Sequence, residues 1–198
     1  MSTSVQHVPE ALIYEVDRGE PIFYRGYQSV LNNGQPLEDI IGSSILQSAI
    51  ITQLVLRLGA ALSNQFLFLS NELGIVFSDA SRRAADIALV RRERLSGKKL
   101  DNKYIDFPPD IIIEVDTKAE FDETTDTLSY YHTKTRQLLD FGVKQVVWIF
   151  TDLATVLVAE PDQDWQLIDW KKDITIAGET INLAALVEDI KKTYDFTE

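Results

Sequence analysis

The chain has 198 residues and no cysteine. That is long enough for one domain with a sizeable core, and it excludes disulfides, zinc–thiolate sites and a thiol nucleophile. The net charge of −12 argues against broad, non-specific nucleic-acid binding, which needs Lys and Arg to neutralise phosphates, but leaves room for a local basic patch.

Met1 to Glu10 is polar, so no secretory signal and a cytoplasmic location are expected. Residues 1–40 mix Tyr14, Ile22, Phe23, Tyr24 and Tyr27 with turn formers such as Asn32-Asn33-Gly34. They read as an irregular or short-stranded lead-in to a single domain spanning 1–198. Ser43 and Ser44 can cap a helix running to about Ser63, with Ile45, Leu46, Ala49, Ile50, Leu54, Leu58 and Leu62 near one face. Gln47, Ser48, Thr52, Gln53 and Arg57 interrupt that stretch, so no membrane span is expected.

Short strands are expected at Gln65–Ser70, Gly74–Ser78 and Asp86–Val90. A polar loop, Arg91–Phe107, follows. With Arg82 and Arg83 upstream, Arg91, Arg92, Arg94, Lys98 and Lys99 make a basic cluster, either a solvated loop or a phosphate-facing edge. Pro108-Pro109 marks the entry to a strand. Ile111–Val115 is almost entirely β-branched and suits a central strand covered on both faces. A helix from about Thr124 to Phe141 stops at Gly142, and Gln145–Phe150 is another buried strand. Thr155–Ala159, Trp165–Asp169 and Asp173–Ile176 read as a later antiparallel set, before a last helix over Leu183–Tyr194. The strand–helix–strand unit from Ile111 to Phe150 predicts a right-handed parallel crossover. The whole predicts an α/β (α+β) fold, a mixed sheet flanked by helices.

Acids interrupt these apolar strands. Asp110, Glu114 and Asp116 share one strand face, and Asp86 opens the run Asp-Ile-Ala-Leu-Val. A buried carboxylate is expensive unless it is paired, hydrogen-bonded or bound to a cation. A hard divalent ion such as Mg²⁺ meets that need with oxygen ligands. Lys118, just past the strand, and Lys134, on the following helix, are the candidate cations beside it. Each acid taken singly has an ordinary structural explanation as a cap or strand end, Glu114 least of all. The two histidines offer no competing chemistry: His7 lies in the lead-in, and His132 reads as an exposed helix residue.

Ala85-Asp86-Ile87-Ala88-Leu89-Val90, Pro109-Asp110-Ile111-Ile112-Ile113-Glu114-Val115, Lys134 on a helix ending Gly142-Val143, and Val146-Val147-Trp148-Ile149-Phe150 occur in an order that resembles the Uma family, described as putative restriction endonucleases and abundant in cyanobacteria. That family belongs to the PD-(D/E)XK nuclease superfamily, and the resemblance covers roughly residues 10 to 190. It implies a restriction-endonuclease-like core and a Mg²⁺- or Mn²⁺-dependent nuclease acting on DNA, with a homodimer as the form that cuts two strands. Asp86 and Glu114 would bind the metal, with Asp110 or Asp116 assisting, and Lys134, or Lys118 in its place, would serve the phosphate. The chain departs from the pattern at Ala85 (the "PD" proline), at Asp116 (the (D/E)XK lysine) and at Leu138 (an aromatic). A non-catalytic relative that keeps the fold as a binding module, and a hydrolase of a small phosphorylated molecule, are the alternatives.

Overall fold

The computed structural model describes residues 8–116, 119 and 127–197. Eight strands form one sheet: β1 (Ile13–Asp17), β2 (Glu20–Phe23), β3 (Phe66–Ser78), β4 (Ser81–Arg91), β5 (Ile111–Val115), β6 (Gln145–Phe150), β7 (Thr155–Ala159) and β8 (Gln166–Asp169). Their order is β2-β1-β4-β5-β6-β7-β8, with β3 also on β4. Two short strands, β9 (Ile174–Ile176) and β10 (Glu179–Ile181), pair separately. The helices are α1 (Tyr27–Asn33), α2 (Glu38–Ile41), α3 (Ile45–Leu62), α4 (Thr127–Phe141) and α5 (Leu183–Thr193).

The mixed sheet expected from the sequence is present, and β5 and β6 are its parallel pair, in register from Ile111↔Gln145 to Val115↔Ile149. Every residue of β5 is buried, as its unbroken apolar run requires. The two sheet faces carry separate cores. On one, Ile50, Leu54 and Leu58 of α3 and Leu186 and Ile190 of α5 cover Ile87, Ile113, Val115 and Val147. On the other, Tyr130 and Leu138 of α4 cover Ala88, Ile112, Val146 and Trp148. Ser44 caps α3 by accepting the Gln47 N–H at 3.1 Å. By length and composition α3 could cross a membrane; in this fold its apolar stripe packs on the sheet.

The segments expected as two strands, 65–70 and 74–78, are one strand. The apparent interruption is a bulge. Ser70 pairs with Ile87 and Leu73 with Ala85, so Asn71 and Glu72 together oppose Asp86. Both adopt the left-handed backbone region, with φ of 74° and 54°. The lead-in also contributes strands. β1 joins β4 at Val16↔Arg82, along the same β4 edge that pairs with β5 at residues 87–89. Because β3 occupies the other edge throughout, β1 and β5 diverge from β4 and leave a gap in the ladder around Ala84–Asp86.

Candidate functional site

Side chains fill that gap. Glu15, in the middle of β1, accepts the Ala84 N–H through Oε1 at 3.0 Å. Lys134 of α4 donates to the Ala84 carbonyl at 2.8 Å and to Glu15 Oε1 at 2.7 Å. At the β5 side, Asp86 Oδ2 accepts the Val115 N–H at 2.7 Å. Polar side chains here complete backbone bonds that a neighbouring strand would otherwise make.

Around these contacts lies a buried charge cluster. Lys134 and Glu15 are 0 % and 1 % exposed. Arg83 Nη1 meets Glu15 Oε2 at 3.0 Å, its Nη2 meets Asp17 at 3.2 Å, and its Nε donates to Gln137 at 2.8 Å. The Tyr130 hydroxyl donates to Glu15 Oε2 at 2.9 Å. Lys134 Nζ also lies 3.0 Å from Glu114 Oε1. That oxygen is buried, and the ammonium approaches it without the geometry of a hydrogen bond.

The two glutamates therefore titrate in opposite directions. Burial pushes Glu114 up to about 8, against the pull of Lys134 and with the help of Asp86 and Glu15. Burial also acts to raise Glu15, but Lys134, Arg83 and the hydrogen bonds it accepts outweigh it and hold its carboxyl below the ordinary value. Lys134 is raised: Glu114, Glu15 and Tyr130 overcome the opposing effect of burial. Glu15 is thus the ionised partner of both cations, and Glu114 is the carboxyl that keeps a proton at neutral pH.

This has a sign that can be checked. Below the ordinary carboxylate value of 4.5, Glu114 is protonated in folded and unfolded chains alike. Between there and about 8, the unfolded chain releases the proton and the folded protein holds it, so stability falls as pH rises. Above about 8 the effect levels off. Glu114→Gln is expected to flatten this part of the profile, as urea unfolding at pH 5 and pH 8 would show; an unchanged slope would contradict it.

Of the residues singled out in the sequence, Asp86, Glu114 and Lys134 come together. Extending the Ile87↔Ile113 register places Asp86 opposite Glu114, and Asp86 lines a cavity of about 400 Å³ with Ser48, Thr52, Ser70, Asn71 and Glu72. Asp110 does not join them. It lies four residues back along the strand, about 13 Å away, where it accepts the Arg91 N–H at 2.8 Å and pairs with Arg94 at 3.1 Å. Asp116, at the position of the superfamily lysine, is a clamp. Its carboxylate accepts the Thr151 N–H at 2.8 Å and the Thr151 hydroxyl at 2.7 Å, tying the ends of β5 and β6. Lys118 lies outside the described residues. His132 is exposed, its ring 5.0 Å from that of Trp165.

Two residues escaped the sequence reading. Glu15 was hidden in a five-residue strand, although a Glu between Tyr14 and Val16 marks a polar position in an apolar alternation. Gln47 was taken as an interruption of α3. It lies on the helix's buried stripe with Ile50, Leu54, Leu58 and Leu62, and its Nε2 donates to the Val115 carbonyl at 2.7 Å. It fixes the residue next to Glu114.

Comparison with known proteins gives the family and the fold. No curated protein matches the chain. A solved structure from Anabaena variabilis ATCC 29413, described as a putative nuclease belonging to DUF820, is similar in fold, with a TM-score of 0.57 and 16% identity over 74% of this chain and 82% of that one. The Uma2 profile, described as "Putative restriction endonuclease", matches residues 13–188, which include β1, the β4–β5 gap and α4. The chain belongs to the Uma2 family.

Proposed function

We propose that this chain is a divalent-metal-dependent endonuclease acting on DNA, with Asp86 and Glu114 as the residues that hold the cation. One observation carries the reading. Two carboxylates lie close enough to act on each other where the β4–β5 ladder breaks, Asp86 at a cavity and Glu114 buried 3.0 Å from Lys134. Membership of a family described as "Putative restriction endonuclease" supports it.

The donor set fits a hard cation such as Mg²⁺ or Mn²⁺, which takes one or two carboxylates and completes its shell with water and phosphate oxygens. Among the described residues no group of three or more His, Cys, Asp or Glu side chains is placed to hold a metal. When bound, the ion supplies Lewis acidity and an activated water. The protein's own part is positioning. Lys134 holds Glu114 against the sheet, Gln47 fixes the following carbonyl, and the Val115 N–H orients Asp86. Cutting both strands calls for two such sites, so we infer that two chains act on one duplex.

A second reading, a nuclease-fold binding module, is favoured by one contact set. Lys134 donates to Glu15 and Ala84 and faces Glu114, which keeps it inside the protein and away from a substrate phosphate. Incubation with supercoiled plasmid separates the two. The endonuclease reading expects nicked and linear products in Mg²⁺ or Mn²⁺ and none in EDTA. Intact plasmid with both metals would leave the binding module.

A further inference from the structure

The end of β4 and the first part of the loop that follows form a basic stretch, which Asp106 and Asp110 partly offset in the rest of the loop. Residues 91–103 hold six of the chain's 19 Lys and Arg residues and only two of its 31 acids. The segment therefore carries +4, while the rest of the chain carries −16 to make the total of −12.

Its path is fixed at both ends. The Arg92 N–H donates to Gln65 O at 2.9 Å, at the start of β3. At the other end Ile105 bridges Ile75 in parallel, with Val76 N–H to Ile105 O at 2.9 Å and Ile105 N–H to Gly74 O at 3.0 Å. Ile75 already pairs with Arg83 on its β4 side, so Ile105 lies on the outer edge of β3. Tyr104 packs its ring against Gly74, where a Cβ would stand 2.4 Å from it. The ends are ten β3 residues apart, about 30 Å at ~3.3 Å per residue. The Asn71–Glu72 bulge opposite Asp86 lies within that span.

The basic residues divide into anchors and free ends. Arg91 and Arg94 pair with Asp110, and Arg94 also donates to Pro108 O at 2.7 Å. Lys98 is an exposed residue, its ammonium 4.3 Å from the Phe107 ring centroid. Lys99 and Lys103 are exposed, and Leu100 between them is fully so, at 101%.

We propose that this loop is a docking ridge for the backbone of a nucleic-acid duplex, with Lys98, Lys99 and Lys103 on phosphates and Leu100 in a groove. The choice of partner rests on the DNA reading above. Lys98 to Lys103 reaches at most about 18 Å of extended chain, about half of a ~34 Å duplex turn and enough to meet several phosphates along one edge. An exposed leucine among lysines is the kind of apolar wedge that enters a minor groove. An anionic membrane would also attract lysines and a leucine. A flat anionic sheet, however, would face the −16 body as well as the ridge, whereas a rod touched along one edge need not.

The test uses the full chain, a 20-bp duplex of about two helical turns and anisotropy across a salt series in EDTA. Each phosphate contact contributes about 0.9 to the log–log salt slope. The triple variant Lys98→Gln/Lys99→Gln/Lys103→Gln is expected to reduce the slope by about 3, and Leu100→Ser to weaken binding with the slope kept. All four positions are exposed, and unfolding curves confirm that the variants fold. A triple variant with the wild-type slope overturns the ridge, as does wild-type binding to phosphatidylserine vesicles in preference to the duplex. Cleavage with an unchanged slope would remove the ridge and keep the nuclease. Loop-dependent binding with no cleavage in Mg²⁺ or Mn²⁺ would remove the nuclease and keep the ridge.

Discussion

Glu15→Gln is expected to destabilise the protein by about 3–5 kcal/mol, the range for breaking a buried ion pair from one side. Glu15 is the anion for two buried cations, Lys134 at 2.7 Å and Arg83 at 3.0 Å, and it also accepts from Ala84 and Tyr130. The amide keeps the shape and one acceptor, but its NH2 stands where the second oxygen accepted, so the loss combines charge with a donor set against donors. Two features limit the damage. Arg83 retains Asp17, which is partly exposed, and Lys134 retains Glu114, whose proton then becomes easier to release. For a chain of this size the loss corresponds to a fall in Tm of roughly 6 to 20 °C. Adding Lys134→Met is expected to recover part of it, because a well-packed apolar chain in place of a buried cation is close to neutral. Thermal unfolding of the two single variants and the double variant gives the coupling directly. A Glu15→Gln loss below about 1 kcal/mol, the scale of exposed ion pairs, would contradict a sealed cluster.

Why that residue was hidden, and others were not, follows from where the information lies. β5 and β6 were legible because unbroken β-branched runs have few other homes. The α3 helix was legible from its period, and Glu114 from the expense of a carboxylate within such a run. The β3 bulge was not. Asn71-Glu72-Leu73-Gly74 carries turn-forming residues, and only pairing with β4 shows that the strand continues past them. Glu15 needed the same long-range knowledge, since β1 meets β4 at a single register pair. Lys134 was legible as a candidate cation on the helix after β5, but its enclosure by Glu15 and Ala84 could not be read from a polar helix. Asp110 shows the converse. Its type and strand face suited a ligand, and its partner, Arg94, comes from a loop whose path the sequence does not disclose. Asp116 looked like a missing lysine and is a clamp on Thr151.

Asp86→Asn is the substitution expected to separate chemistry from folding. In the wild type, Asp86 has a structural duty, accepting the Val115 N–H at 2.7 Å, and under the proposed function a second one, charge toward a cation. Asparagine keeps a carbonyl oxygen that can accept the same N–H. Removing the charge also relieves Glu114 of one of the neighbours that raise it, so Glu114 should ionise at lower pH. Stability is therefore expected to change by less than about 1 kcal/mol, against the larger loss for Glu15→Gln. Metal-dependent plasmid cleavage is expected to fall by at least about 100-fold, the scale for removing one directly acting electrostatic group. Duplex binding through the β4–β5 loop should persist, since the change lies outside that loop. The paired measurement is decisive in both directions. Cleavage that survives in a folded Asp86→Asn protein would place the metal elsewhere. Unfolding of the variant would show that the fold itself needs the charge at the gap between β1 and β5, since asparagine keeps the Val115 contact.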